Sequence, residues 1–131
     1  MSIDANKDVV RRFYAEVING RDVDAVDHLL TEDFTHDGEA RGRDGQKDAV
    51  RVFLGGFSDL HDEILVMVGE GDLVAAHQVW TGTHDGPFAG VAATGRSVRF
   101  TSTAVLEIRA GQIASAIDVV DIAGLMGQLT A

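Results

Sequence analysis

The sequence predicts an α+β domain. Three observations carry that expectation. Apolar residues recur at helical spacing as far as Phe57, they alternate with polar ones after Asp59, and two glycine-containing turns divide the second half into hairpins. Helices first and an antiparallel meander after them is the pattern of segregated layers. At 131 residues the chain has room for one core, so a single domain over 1–131 is expected.

The first helix is expected over Asp4 to Asn19, with Val9, Val10, Phe13, Val17 and Ile18 on one face. Asp4 suits its start and Gly20 its stop. A short second helix, RDVDAVDHLL, presents Val23, Val26, Leu29 and Leu30, with Asp22 as cap. A polar connection follows, containing an extended piece around Phe34 to His36. The third helix, RDGQKDAVRVFLGGF, buries Val50, Phe53, Leu54 and Phe57. Beyond Asp59, two strands meet at the GEGD turn and two more at RAGQ. The apolar tail IAGLMGQL forms a last short helix, capped by Asp121.

Composition narrows the function. The formal charge of −10 argues against nucleic acid and anionic membranes as partners, because both demand clustered Lys or Arg. With no cysteine, disulfides, thiolate metal sites and a cysteine nucleophile are excluded. The five histidines show no recognised ligand spacing, so no metal is expected. No glycine-rich loop joins a strand to a helix start, and no serine sits in a nucleophile elbow. No signal peptide is visible at the amino terminus and no apolar run is long enough to cross a bilayer, so a cytoplasmic protein is expected.

The last strand raises the chemical question. Its sequence, AIDVVD, sets Asp118 among apolar neighbours, and a carboxylate buried on a strand is costly unless something pairs with it or uses it. Strand alternation puts Ala114, Ala116, Asp118 and Val120 on one face. If the hairpin aligns them, Ser102 and Ala104 join Ala114 and Ala116 in a patch of small side chains around Asp118. Such a patch means close packing or empty space, and the carboxylate favours space for a ligand. Phe13, Tyr14, Phe34, Phe53, Phe57, Gln78 and Trp80 are the candidate walls, giving an apolar pocket with few polar groups. The alternative is a structural Asp118, bonded to a backbone amide or paired with Arg99 or Arg109. His77 and Gln78 cannot both face inward, His84 reads as loop structure or a contact near a dimer seam, and His61 as exposed.

The segments NKDVVRRFYAEVINGRDVDAVDHLLTEDFTHDG, GEGDLVAAHQVWTGTHDGPFAGVAATGRSV and AGQIASAIDVVDIAGLMGQL, taken in order, resemble the SnoaL-like polyketide cyclases of the nuclear-transport-factor-2-like superfamily. The resemblance covers essentially the whole chain. It implies a cone-shaped barrel in which helices pack on a curved, mainly antiparallel sheet around a ligand cavity, usually as a homodimer. It also implies ring closure of a polyketide by intramolecular aldol condensation, with neither metal nor cofactor. Asp118 falls on the family's acid/base aspartate, and His36 on a place where the cyclases carry a polar substrate contact.

The chain departs from the cyclase pattern at Ser102 and Ala104, where the cyclases carry glutamine and histidine, and at Ala116 and Ala93, where histidine and proline occur. The expected function is therefore cofactor-independent acid/base chemistry in secondary metabolism. Asp118 and His36 are its catalytic candidates. Phe13, Tyr14, Phe34, Phe53, Phe57, Gln78, Trp80, Ser102, Ala104 and Ala116 are its candidate contacts to an aromatic or polyketide-like ligand. The alternatives are a hydroxylation component, an isomerase or epoxide hydrolase on the same scaffold, or a non-catalytic dimeric binding module.

Overall fold

The computed structural model describes residues 2–131 and has the expected α+β organisation. Helix α1 runs Ile3–Arg12, and the chain continues as a wider π-helical segment, Phe13–Asn19. The start is capped not by Asp4 but by Ser2, whose hydroxyl accepts from the Ala5 amide at 3.0 Å. The π-helical stretch turns Phe13, Tyr14, Val17 and Ile18 inward together.

A single 3₁₀ turn, Val23–Ala25, leads into the four-residue α2, Val26–Leu29. Asp22 precedes that turn without making a side-chain cap. Leu30 starts a strand rather than ending the helix: β1 spans Leu30–His36, with the two-residue β2, Glu39–Ala40, beside it. Helix α3, Gly42–Gly56, sends Val50 and Leu54 into the core. The remaining strands are β3 (His61–Glu70), β4 (Leu73–Thr83), β5 (Ser97–Arg109) and β6 (Gln112–Val120), before α4, Ile122–Leu129. Asp121 caps α4, accepting from the Gly124 amide at 2.9 Å.

One six-stranded sheet has the order β2-β1-β6-β5-β4-β3. All its pairings are antiparallel except β1 with β6, which is parallel, a contact that hairpin logic could not anticipate. The hairpins turn where the sequence placed them. The β5–β6 turn uses Ala110 at φ 49° and Gly111 at φ 80°, the left-handed pair that matches strand twist.

The helices cover one face of this curved sheet. Val10, Val17, Val26, Leu29, Phe100, Leu106 and Leu125 are among the side chains buried between the layers. On the opposite face Val66, Val68, Val105, Ile117 and Val119 are 37–70% exposed. An extra residue in β6, Ala114, separates the pairs Ile108↔Ile113 and Glu107↔Ser115. This bulge resets the alternation, so Ile113 and Ala116 share the covered face, and Ala114 leaves the patch expected around Asp118.

Candidate active site

Between the helices and the sheet lies a cavity of about 510 Å³. The π-helical extension of α1 contributes Phe13 and Tyr14, β1 contributes Phe34 and His36, and α3 contributes Phe53. Trp80, Ala104, Ala116 and Asp118 form the sheet side. Three expected wall residues stand behind this lining. Phe57 is fully buried just past α3, packed against His84 and Phe88. Ser102 accepts from the Trp80 indole N–H at 2.8 Å, and so holds the ring that does face the cavity. Gln78 is fully buried between Tyr14 and Asp62.

The small residues do make room where the carboxylate is. Ala104 pairs directly across the sheet from Asp118, and Leu106 from Ala116. Stacked aromatics bound the space further along: Trp80 and Phe100 lie 5.9 Å apart and nearly parallel, with Phe53 tilted against both. Apolar walls enclosing a few placed polar groups have the general character of a small-molecule pocket.

The polar end is built by the β1–β6 contact. His36 pairs with Ala116, and the Asp37 amide donates to the Ala116 carbonyl at 2.9 Å. Asp37 then turns at φ 50° into Gly38 at φ 83°. That turn directs its carboxylate back to accept from the Asp118 amide at 2.8 Å. Its other oxygen lies 3.4 Å from His36 Nδ1, while His36 Nε2 lies 3.7 Å from Asp118 Oδ2. The histidine thus stands between two carboxylates. Neither arginine weighed as a partner for Asp118 reaches it: Arg109 pairs with Asp33, and the Arg99 backbone is held by Gln128. Asp118 Oδ1 is buried without a hydrogen-bond partner, and its side chain is only 22% exposed.

Sequence reasoning missed a second carboxyl group. Asp62, at the start of β3, is 3% exposed and opposite Trp80. Its backbone is clasped by the Asn19 side chain, which accepts from the Asp62 amide at 2.7 Å and donates to its carbonyl at 3.0 Å. Burial pushes the Asp62 carboxyl up to about 8, with the negative charges of Asp118 and Glu63 adding to the effect. Burial likewise raises the Tyr14 phenol above its ordinary value. The signal was present: Asp62 is in phase with Ile64, the inward side chain next along β3. Asp37 and Arg41, which also line the cavity, lay in a stretch that reads as a polar connection.

His77 points outward, its Nδ1 2.8 Å from the Thr103 hydroxyl, whereas Gln78 points inward. His61 is exposed. His84 is fully buried and fixes the long loop before β5, with its Nδ1 2.9 Å from the Thr94 hydroxyl. Among the described residues no three His, Cys, Asp or Glu side chains gather closely enough to hold a metal ion. No helix among them is long and apolar enough to cross a membrane.

Residues 8–129 match the model of a known family, the SnoaL-like polyketide cyclases. The chain belongs to that family. Its structure is similar to a provisionally named SnoaL-like polyketide cyclase from Jannaschia sp. CCS1, at 25% identity and a TM-score of 0.89, over 100% of this chain and 96% of that one. It is also similar to TsrD from Streptomyces laurentii, at 28% identity and a TM-score of 0.89, over 98% and 97% of the two chains. IdmH from Streptomyces antibioticus, provisionally named a polyketide cyclase, matches at 25% identity and a TM-score of 0.86, over 96% and 99%. No curated protein sequence matches the chain.

Proposed function

We propose that this SnoaL-like chain is a cofactor-independent, cytoplasmic cyclase of secondary metabolism, in which Asp118 moves protons to and from an aromatic, polyketide-like substrate. The observation that carries the reading is the buried, unpartnered Oδ1 of Asp118 in the wall of a roomy apolar cavity. A carboxylate oxygen withdrawn from water and given no donor is costly in a purely structural role. A substrate C–H or O–H placed beside it would use what the protein leaves open.

In the ring closure, Asp118 takes a proton from a carbon flanked by carbonyl groups. The resulting enolate carbon forms a bond to a second carbonyl carbon of the same molecule. The protonated Asp118 then returns its proton to the alkoxide. His36, within 3.7 Å of Asp118 and held on its far side by Asp37, orients the substrate's oxygen and steadies the charge that develops. Trp80, Phe53, Phe13 and Phe34 fit an extended flat ring system.

The missing cyclase partners at Ser102, Ala104 and Ala116 keep a non-catalytic binding module as the second reading. Asp118→Asn separates the two. Because Trp80 is the single tryptophan and lines the cavity, ligand affinity can be read from its fluorescence. The cyclase reading expects affinity within about threefold of wild type and ring closure at least about a hundredfold slower. Undiminished ring closure in the variant refutes it. A homodimer is part of the proposal. The apolar outer face of Val66, Val68, Val105, Ile117 and Val119 supports it, and sedimentation of wild type against Ile117→Lys tests it. A wild-type monomer would contradict it.

A further inference from the structure

Behind the cavity wall, three buried groups form a chain whose direction depends on one proton. The Gln78 amide lies between the Asp62 carboxyl and the Tyr14 hydroxyl. With its NH₂ toward Asp62, Gln78 donates to Oδ2 at 2.6 Å and Oδ1 at 3.1 Å, and its carbonyl accepts from the Tyr14 hydroxyl at 3.1 Å. That arrangement suits an ionised Asp62. With Asp62 protonated, the opposite orientation is satisfied: Asp62 O–H donates to the Gln78 carbonyl, and the Gln78 NH₂ donates to the Tyr14 oxygen.

We propose that Asp62, Gln78 and Tyr14 act as a reversible relay that switches the Tyr14 hydroxyl between donating into the cavity and withholding its proton. Tyr14 lines the cavity that Asp118 also lines, so in the protonated arrangement its O–H is free for a substrate carbonyl or enolate oxygen there. In the ionised arrangement the same proton is committed to Gln78. Asp62 and Gln78 are positioning residues, and Tyr14 is the group that touches the ligand. The inference deepens the cyclase reading and rests on it only for its catalytic use; the relay itself stands without turnover.

The surroundings of Asp62 agree. From the helix side it faces Tyr14, from its own strand Glu63, from β4 Gln78 and from β6 the charge of Asp118. Arg11 and His61 border the shallow depression outside Asp62, which gives its proton a way to solvent, and Arg11 is already paired with Asp8 at 2.7 Å. Among the described residues no cation is bonded to the carboxyl, and burial holds its proton to about pH 8. The relay is therefore in its donating form at neutral pH and reverses in mild alkali.

Side-chain NMR of the whole protein between pH 6 and 10 tests this, with 2-acetylnaphthalene, an aromatic methyl ketone, as ligand probe. The Gln78 amide signals and the Tyr14 Cζ signal are expected to titrate with one midpoint, that of the Asp62 carboxyl. In Asp62→Asn, which keeps a donor and an acceptor, both signals are expected to lose that titration. Wild type is expected to bind the ketone several-fold more weakly above the Asp62 midpoint than below it. Asp62→Asn should bind it tightly throughout, and Tyr14→Phe weakly throughout. Gln78 and Tyr14 signals indifferent to Asp62 ionisation would overturn the relay, and so would the same pH dependence of affinity in Tyr14→Phe. Loss of turnover in Asp118→Asn alongside either result would leave the cyclase reading standing while the relay fell.

Discussion

The burial of Asp62 makes a stability prediction whose size follows from the structure. Folded, the carboxyl keeps its proton to about pH 8, whereas an unexposed setting is absent in the unfolded chain and release occurs near 3.8. Between those values the native state binds the extra proton, so the contribution of Asp62 to stability is full below about pH 4, declines as pH rises and is lost above about pH 8. At about 1.4 kcal/mol per pH unit, the full loss is at most about 6 kcal/mol, and relaxation around the charge reduces it. Asp62→Asn removes the titrating group while leaving an amide that can bond Gln78. Urea denaturation of wild type and variant at half-unit steps from pH 5 to 9 isolates the effect, because carboxylates held low, such as Asp59 and Asp85, contribute equally to both. The variant is expected to gain on wild type with rising pH up to about pH 8, by several kcal/mol, and to hold that gain without further increase at pH 9. Parallel stability profiles would refute a neutral buried Asp62.

Two further outcomes probe the cavity. Ser102→Ala removes the acceptor for the Trp80 indole, and a loss of about 1–3 kcal/mol is expected in urea denaturation followed by Trp80 fluorescence. Ala104→Leu places a larger side chain across from Asp118 and into the cavity. It should leave the melting temperature unchanged or higher while weakening 2-acetylnaphthalene binding more than about tenfold, measured by the same fluorescence.

Much of this architecture was legible because its signals are local. Helical spacing located α3, the GEGD and RAGQ turns located the hairpins, and Asp121 announced α4. The remainder depends on contacts between distant segments. The parallel docking of β1 on β6 turns a polar connection into the wall that carries His36 and Asp37. The bulge at Ala114 shifts the face of one end of β6, which strict alternation cannot register. Phe57 has the right spacing for the buried stripe of α3, but the helix ends at Gly56 and Phe57, extended at φ −141°, packs into the core instead. Asp62 escaped notice since a charged residue beside His61 and Glu63 reads as solvated; only the covering helix makes it buried.

Asp118 as a base toward carbon is the central claim, and proton exchange tests it without requiring a native substrate. Ethyl benzoylacetate in D₂O can be followed by NMR for deuterium entering the carbon between its two carbonyl groups. Wild type is expected to accelerate that exchange above the buffer rate, and Asp118→Asn, bound to the same ester, to return it to the buffer rate. Exchange as fast in Asp118→Asn as in wild type would contradict the account.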